Sequence, residues 1–125
     1  APTGMKVLLG MGGSPDGFDA LEETLARARE AGDELTVAVL DTSDDYDPDE
    51  VGAKIRDRLD EAGVDADVTQ LSGHPGSQLS QFAGREEFDR IVIGGGQRSP
   101  MGKIELGEVA EFVLLNADTT VTLVR

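Results

Sequence analysis

The stretch KVLLGMGGSPDGFDALEETLARAREAG, residues Lys6 to Gly32, decides the fold because its hydrophobic pattern changes once, near its middle. It opens with the short apolar run KVLLGM, which predicts a strand. A turn rich in glycine follows, with Ser14 as the N-cap and Pro15 as the first helical residue. Apolar residues then recur at helical spacing until Gly32 ends the pattern. The stretch predicts one strand-turn-helix unit.

The same unit repeats to the end of the chain. The further strands are predicted at ELTVAVLD (34–41), VDADVTQL (64–71), FDRIVIGG (88–95) and TTVTLVR (119–125). The further helices are predicted from Pro48 to Gly63 with Asp47 as N-cap, from Pro75 onward, and from Leu106 to Asn116. Such alternation predicts a single α/β domain, with a parallel sheet and helices on both faces. The third strand is the most polar, so we place it at an edge of the sheet.

Charge and composition limit the classes of function. Acidic residues outnumber basic ones by 25 to 11, for a formal net charge of −14, which disfavours nucleic-acid binding. The acidic residues are spread over every segment, which favours a protein of a salty cytoplasm over an ordinary acidic one, since salt screens the repulsion. Cysteine is absent and His74 is the single histidine, so a metal site is not expected. No apolar run approaches the ~20 residues of a membrane span. We therefore expect a cytoplasmic protein.

Three long segments carry a resemblance to a known family. They are MKVLLGMGGSPDGFDALEETLARAREAGDELTVAVLD, GHPGSQLSQFAGREEFDRIVIGGG and LGEVAEFVLLNADTTVTLVR. Together they resemble the universal stress proteins over residues 5–125, with residues 1–4 expected to be a leader or a cloning remnant. The resemblance implies a doubly wound five-stranded parallel sheet of order 3-2-1-4-5. It also implies one ligand cleft at the switch point, where the loops after strands 1 and 4 meet.

The resemblance also implies which residues surround that cleft. The candidate cofactor-binding residues are Gly10, Met11, Gly12, Leu40, Gly94, Gln97, Arg98, Gly107, Glu108 and Val109. ATP-binding members of the family carry Gly-x2-Gly-x9-Gly-Ser/Thr in the last loop and an Asp near the end of strand 1. Here Gln97 replaces the second glycine, Glu108 replaces the hydroxyl residue and Gly12 replaces the Asp.

All three departures are expected to weaken ATP binding. Glu108 matters most because two like charges ~4 Å apart repel by ~1 kcal/mol in water and by more in a drier cleft. A carboxylate at a helix N-terminus is also favourable for the helix, so Glu108 is expected to stand in for the phosphate. Arg98 and Lys103 argue for the alternative, an ATP or AMP site, because both can neutralise phosphate. A small inorganic anion in the loop is a third alternative.

The remaining motifs predict no chemistry. The glycine loops miss both the P-loop and the dinucleotide fingerprint, and Ser14 and Ser99 lack a general base. His74 precedes a proline, where a surface or capping role is expected. We therefore predict a binding protein without catalytic residues, without a required cofactor and with an unidentified protein partner. The alternative is a nucleotide switch or slow ATPase.

The family resemblance further implies a homodimer. The C-terminal strand of this chain resembles the strand that forms the dimer seam in that family. The seam residues here would be Thr120, Val121, Thr122, Leu123 and Val124. A last strand at a sheet edge leaves backbone groups unpaired beside apolar side chains, and a two-fold mate would cover them. The other interpretation is an edge protected only by its charged neighbours.

Overall fold

The computed structural model describes residues 4–12, 15–40, 47–94, 97–98, 104–105 and 108–124. These residues form strands and helices in alternation. An antiparallel pair of two-residue strands is inserted before the last helix. The elements are β1 (Lys6–Met11), α1 (Pro15–Ala31), β2 (Glu34–Leu40), α2 (Pro48–Ala62), β3 (Ala66–Leu71), α3 (Pro75–Arg85), β4 (Arg90–Gly94), β5 (Gln97–Arg98), β6 (Ile104–Glu105), α4 (Glu108–Asn116) and β7 (Thr120–Val124).

The main sheet has five strands, all parallel, in the order β3-β2-β1-β4-β7. This confirms the predicted order, because β7 is the fifth strand of that sheet. The polar β3 lies at one edge, as predicted, and β7 lies at the other. The antiparallel pair β5–β6 was not predicted, since two-residue strands inside a glycine-rich loop leave no hydrophobic period to read.

The central strand β1 is buried on both faces. Its alternate side chains Val7, Leu9 and Met11 enter the first core, which α1 and α2 cover. Leu8 enters the second core, which α3 and α4 cover. Burying one such side chain contributes ~1.5–3 kcal/mol, so a strand apolar on both sides holds the two helical layers together.

The amino end of β1 is fixed by carboxylates from two different loops. The Met5 amide donates to Asp33 Oδ1 at 2.9 Å, and the Lys6 amide donates to Asp89 Oδ2 at 2.9 Å. The Asp33 side chain is only 3% exposed and pairs with Arg27 Nε at 3.2 Å. These bonds satisfy backbone groups that would otherwise lie unpaired where the strand begins.

The helix ends follow the signals in the sequence. Asp47 caps α2 by accepting the Asp49 amide at 3.0 Å, and Pro48 is the first helical residue. Gly63 ends α2 in the left-handed region at φ 68°, where glycine has no steric penalty. Pro15 begins α1 as predicted, while its expected cap Ser14 lies outside the described residues. Helix α4 begins at Glu108, and the predicted start at Leu106 also lies outside them.

We predict that Gly76→Ala destabilises the protein by ~1–3 kcal/mol. A Cβ at Gly76 would lie 2.8 Å from both Cβ and Cδ1 of Phe112. Rotation of the Phe112 side chain does not move its Cβ, so α3 and α4 would have to separate. Urea unfolding measures the change. Gly84, also in α3, is the matched control, because a Cβ there meets no atom within 4 Å. Gly84→Ala is expected to stabilise by ~0.5–1 kcal/mol, and equal effects of the two changes would contradict the close contact.

A second prediction concerns the ion pairs between α1 and α2. Arg58 Nε donates to Glu22 Oε2 at 2.9 Å, and the Arg58 guanidinium also pairs with Glu61. Hydrogen bonding from Arg58 lowers the pKa of Glu22, aided by charge attraction and opposed by partial burial. A lowered pKa in the folded state means that the pair stabilises the fold above the unfolded-state pKa of Glu22. That stabilisation is lost as the pH falls through the lowered value.

Arg58→Gln is therefore expected to reduce the urea midpoint slightly at pH 7, and the difference from the parent should vanish in acid and in molar salt. Arg56→Gln on the same helix removes the same charge and is the control. A difference that persists in acid, or an equal loss from Arg56→Gln, would show that the pair is not responsible.

Candidate functional site

The candidate cleft lies where the carboxyl ends of β1 and β4 meet. Strand β1 pairs with β2 on one side and with β4 on the other, so the chain changes direction across the sheet at this point. Gly10 is registered with Ile93, and β4 ends one residue later at Gly94. Doubly wound sheets open a crevice at such a switch point. The β1–α1 turn and the loop after β4 therefore leave the sheet side by side.

The end of β1 is built from residues that permit close packing. A Cβ on Gly10 would lie 2.5 Å from Leu79 Cδ2, so a side chain there would push α3 away from the sheet. The Met11 side chain is 2% exposed and lies in the first core. Neither candidate therefore offers a side chain to the cleft, because Gly10 has none and that of Met11 packs in the core.

Gly17 of α1 also packs closely against this end of β1, although it was not among the predicted site residues. A Cβ on Gly17 would lie 3.0 Å from the Gly12 carbonyl oxygen and 3.2 Å from Met11 Cβ. The first turn of α1 can therefore approach the end of β1 closely. A glycine in the first turn of a helix, where propensity disfavours it, was the signal available in the sequence.

Leu40 is the last residue of β2 and is registered with Leu71 of β3. Its side chain is 4% exposed and belongs to the second core. The Leu40 side chain is therefore part of the core under the carboxyl end of β2 and is not available to a ligand. The loop that follows, residues 41–46, lies outside the described residues.

The loop after β4 folds back on itself as a hairpin. Gln97 is paired with Glu105, and Arg98 is paired with Ile104, in antiparallel register. This pairing places the Gln97 backbone in a ladder, at the position where the family motif has its second glycine. Arg98 is the next residue of the same strand. The candidates Lys103 and Gly107 lie outside the described residues.

Helix α4 begins at Glu108, the position where the family motif has a hydroxyl residue. The N-terminus of a helix carries unpaired amides and the positive end of the dipole, which favour a negative charge. Val109, the next candidate, is partly buried against the second core. The carboxylate residue that the sequence singled out is thus the first residue of α4, a helix of nine residues.

His74 lies at the same edge of the sheet, at the start of α3. Its Nδ1 accepts the Ser77 amide at 3.1 Å, so the predicted capping role is confirmed. The His74 ring packs edge-on against Phe112 of α4, with the ring centroids 4.8 Å apart. This contact joins the start of α3 to the first half of α4. The sequence could not reveal it, because the two residues are 38 positions apart in the chain.

The last strand combines a free edge with apolar neighbours. Within the described sheet, β7 has a strand neighbour on one side only, namely β4. Thr120 is exposed, Val121, Thr122 and Leu123 are partly buried, and Val124 is 7% exposed in the first core. Leu114 and Leu115 of α4 are 42% and 77% exposed.

The residues that the structure describes contain no group of three or more His, Cys, Asp or Glu side chains placed to hold a metal ion. None of their helices has the length and hydropathy to cross a membrane.

The fold and the two glycine-rich loops define a class of α/β protein with a cleft at the switch point, and comparison identifies the family. A family-wide sequence model described as "Universal stress protein family" matches residues 5–125. The chain therefore belongs to the universal stress protein family. A universal stress protein of Methanocaldococcus jannaschii is 33% identical over 72 residues, which are 58% of this chain and 42% of that relative. This chain thus spans less than half of that relative.

Solved structures show the same fold. A universal stress protein from Archaeoglobus fulgidus superposes with a TM-score of 0.80 at 23% identity, covering 97% of this chain and 98% of the other. A universal stress protein from the same organism in complex with dAMP gives a TM-score of 0.72 at 19% identity, with coverage of 98% and 99%. At these identities the likeness establishes the arrangement of strands and helices.

Proposed function

We propose that this protein is a cytoplasmic, homodimeric domain that acts in a stress response by binding and interaction, with a nucleotide cleft altered away from ATP. The observation that carries the proposal is the position of Glu108 as the first residue of α4. A phosphate held by the N-terminus of this helix would meet a carboxylate instead of a hydroxyl. Two such charges ~4 Å apart repel by ~1 kcal/mol in water and by ~4 kcal/mol at the dielectric of a protein surface.

The hairpin supports the same conclusion. Phosphate loops bind through backbone amides that have no other partner. Here Gln97 replaces a motif glycine and its backbone is paired with Glu105. A strand partner competes with a phosphate for the amides of this segment.

The third departure lies at the end of β1. Gly12 occupies the position where ATP-binding members of the family carry an Asp, so no carboxylate is available there to accept a hydrogen bond from a ribose hydroxyl. The three changes all reduce contacts that a nucleoside triphosphate would use.

The alternative function is an ATP- or AMP-binding switch or slow ATPase that uses the same cleft. The universal stress protein of A. fulgidus in complex with dAMP has the same fold and supports this alternative. Arg98 follows β4 in the same chain segment, in β5, and an arginine at the cleft would suit phosphate. The two functions differ in the effect of Glu108.

We predict that calorimetric titration with ATP or AMP in molar KCl detects no saturable binding up to ~1 mM, and that Glu108→Ser creates or strengthens binding by at least ~5-fold. Glu111→Ser is the matched control, because Glu111 is exposed and lies three residues further along the same helix. It removes the same charge away from the helix N-terminus. Micromolar ATP binding by the parent, unaffected by Glu108→Ser, would establish the switch instead.

The proposed dimer places β7 against the same strand of a second copy. An isologous contact would pair the free edge of β7 and cover the apolar side chains beside it, including Leu115 of α4. Two-fold pairing at the centre of this five-residue strand would set Thr122 opposite its own copy.

We predict a dimer mass in sedimentation equilibrium and a dissociation constant raised by at least ~10-fold in Thr122→Glu, since two like charges would oppose each other across the axis. Thr69→Glu makes the same exchange at a partly buried position of the opposite edge strand β3 and is expected to leave the dimer intact. A monomeric parent would refute the dimer, and dissociation by Thr69→Glu alone would move the contact to β3.

A further inference from the structure

A second concave surface lies on the α3 side of the sheet, at the amino-terminal halves of β1, β2 and β3. Its volume is about 420 Å³. Thr36 of β2 and Asp67 and Thr69 of β3 line it from the sheet, and Phe82 and Glu86 line it from the α3 side. We call this surface the β2–β3 groove. It is separate from the nucleotide cleft, which lies at the carboxyl ends of β1 and β4.

The groove exists because the sequence of this sheet face changes from polar to apolar along the strands. Thr36 is registered with Asp67, and further along Leu40 is registered with Leu71. The two leucines pack in or against the second core, whereas Asp67 is exposed and Thr36 is partly buried. An apolar helix over a polar sheet face would bury polar groups without hydrogen bonds, which costs free energy. This half of the face therefore stays uncovered.

Charge in the groove is strongly one-sided. Three carboxylate residues line it, Glu34, Asp67 and Glu86, and Lys6 is the one basic residue among its lining residues. Among the described residues, none of the three carboxylates takes part in an ion pair. The groove therefore has unmatched negative charge beside an aromatic surface, which attracts a cation.

Two cations of the chain already use this chemistry. The Lys6 ammonium donates to the Glu86 carbonyl and lies 4.7 Å from the centroid of the Phe88 ring. The Arg85 guanidinium lies 5.4 Å from the centroid of the Phe82 ring. Phe82 and Phe88, the two aromatic rings that line the groove, thus each have a cation over one face. They also pack against each other, with the ring centroids 5.6 Å apart. The site is suited to the alkyl stem and charged head of a Lys or Arg side chain.

We propose that the β2–β3 groove is a docking site for an extended, basic segment of a protein partner. A Lys or Arg side chain of that segment enters the groove, where the carboxylates bind its charge and Phe82 packs against its stem. The backbone of the segment approaches from the side, since β3 has a strand neighbour on one side only in the described sheet. An edge strand offers unpaired amides and carbonyls to an extended chain.

The proposal favours a segment over a free amine because the groove is open. A free amine has no peptide backbone and gains chiefly charge contacts, which salt weakens. A segment adds backbone contacts along β3 and the burial of side-chain stems, which salt does not screen. The groove is separate from the nucleotide cleft, so binding of a basic segment there does not depend on whether the cleft binds ATP.

In the test, the isotope-labelled 125-residue chain is titrated with an acetylated six-residue peptide of alternating Thr and Lys, and amide chemical shifts are followed. Saturable shifts concentrated at Thr36, Asp67 and Thr69 are expected. The double variant Glu34→Gln, Asp67→Asn is expected to bind the peptide ~10-fold more weakly. The double variant Asp57→Asn, Asp60→Asn removes the same charge from the exposed surface of α2 and is expected to bind like the parent.

Spermidine and a peptide with Glu in place of Lys complete the experiment. The acidic peptide is expected not to bind, and spermidine is expected to bind at least ~10-fold more weakly than the basic peptide. Equal binding of spermidine in the groove would overturn the segment in favour of a free amine. Absence of saturable shifts, or equal weakening by both double variants, would overturn the site itself. ATP titration of the same samples reports on the cleft separately.

Discussion

Burial of β1 between two helical layers is the constraint on which the rest of the structure depends. The strand is hydrogen-bonded to β2 and β4, and its side chains alternate between the two cores. A shift of one residue in register would exchange these side chains between layers that are packed to fit them. The position of β1 therefore fixes where the loops leave the sheet, and with them the place of the cleft.

Glycines determine how closely the helices approach this frame. Gly10 allows Leu79 of α3 to reach β1, Gly17 allows α1 to reach the end of β1, and Gly76 allows α3 to reach Phe112 of α4. Each contact lies near the carboxyl edge of the sheet, at the start of a helix or the end of a strand. These three glycines thus serve close packing around the candidate cleft.

The two candidate surfaces differ in physical character. The proposed cleft lies at the carboxyl ends of β1 and β4 and at the N-terminus of α4, so a few local charges, above all that of Glu108, would set its ligand preference. The groove is formed by side chains on the sheet face and α3, so its preference depends on the summed charge of several carboxylates. The cleft and the groove therefore lie at opposite ends of the same sheet, so that occupation of one does not block the other.

The sequence by itself determined the strand-helix alternation and the helix caps at Asp47, His74 and Gly63. These features depend on neighbours a few residues apart, which a local pattern can show. The strand order came from the family resemblance. Only the tertiary structure decided the β5–β6 hairpin, the contact between His74 and Phe112, the burial of Met11 and Leu40, and the groove. Each of these needs residues distant in the chain to meet, and the packing of the whole domain brings them together.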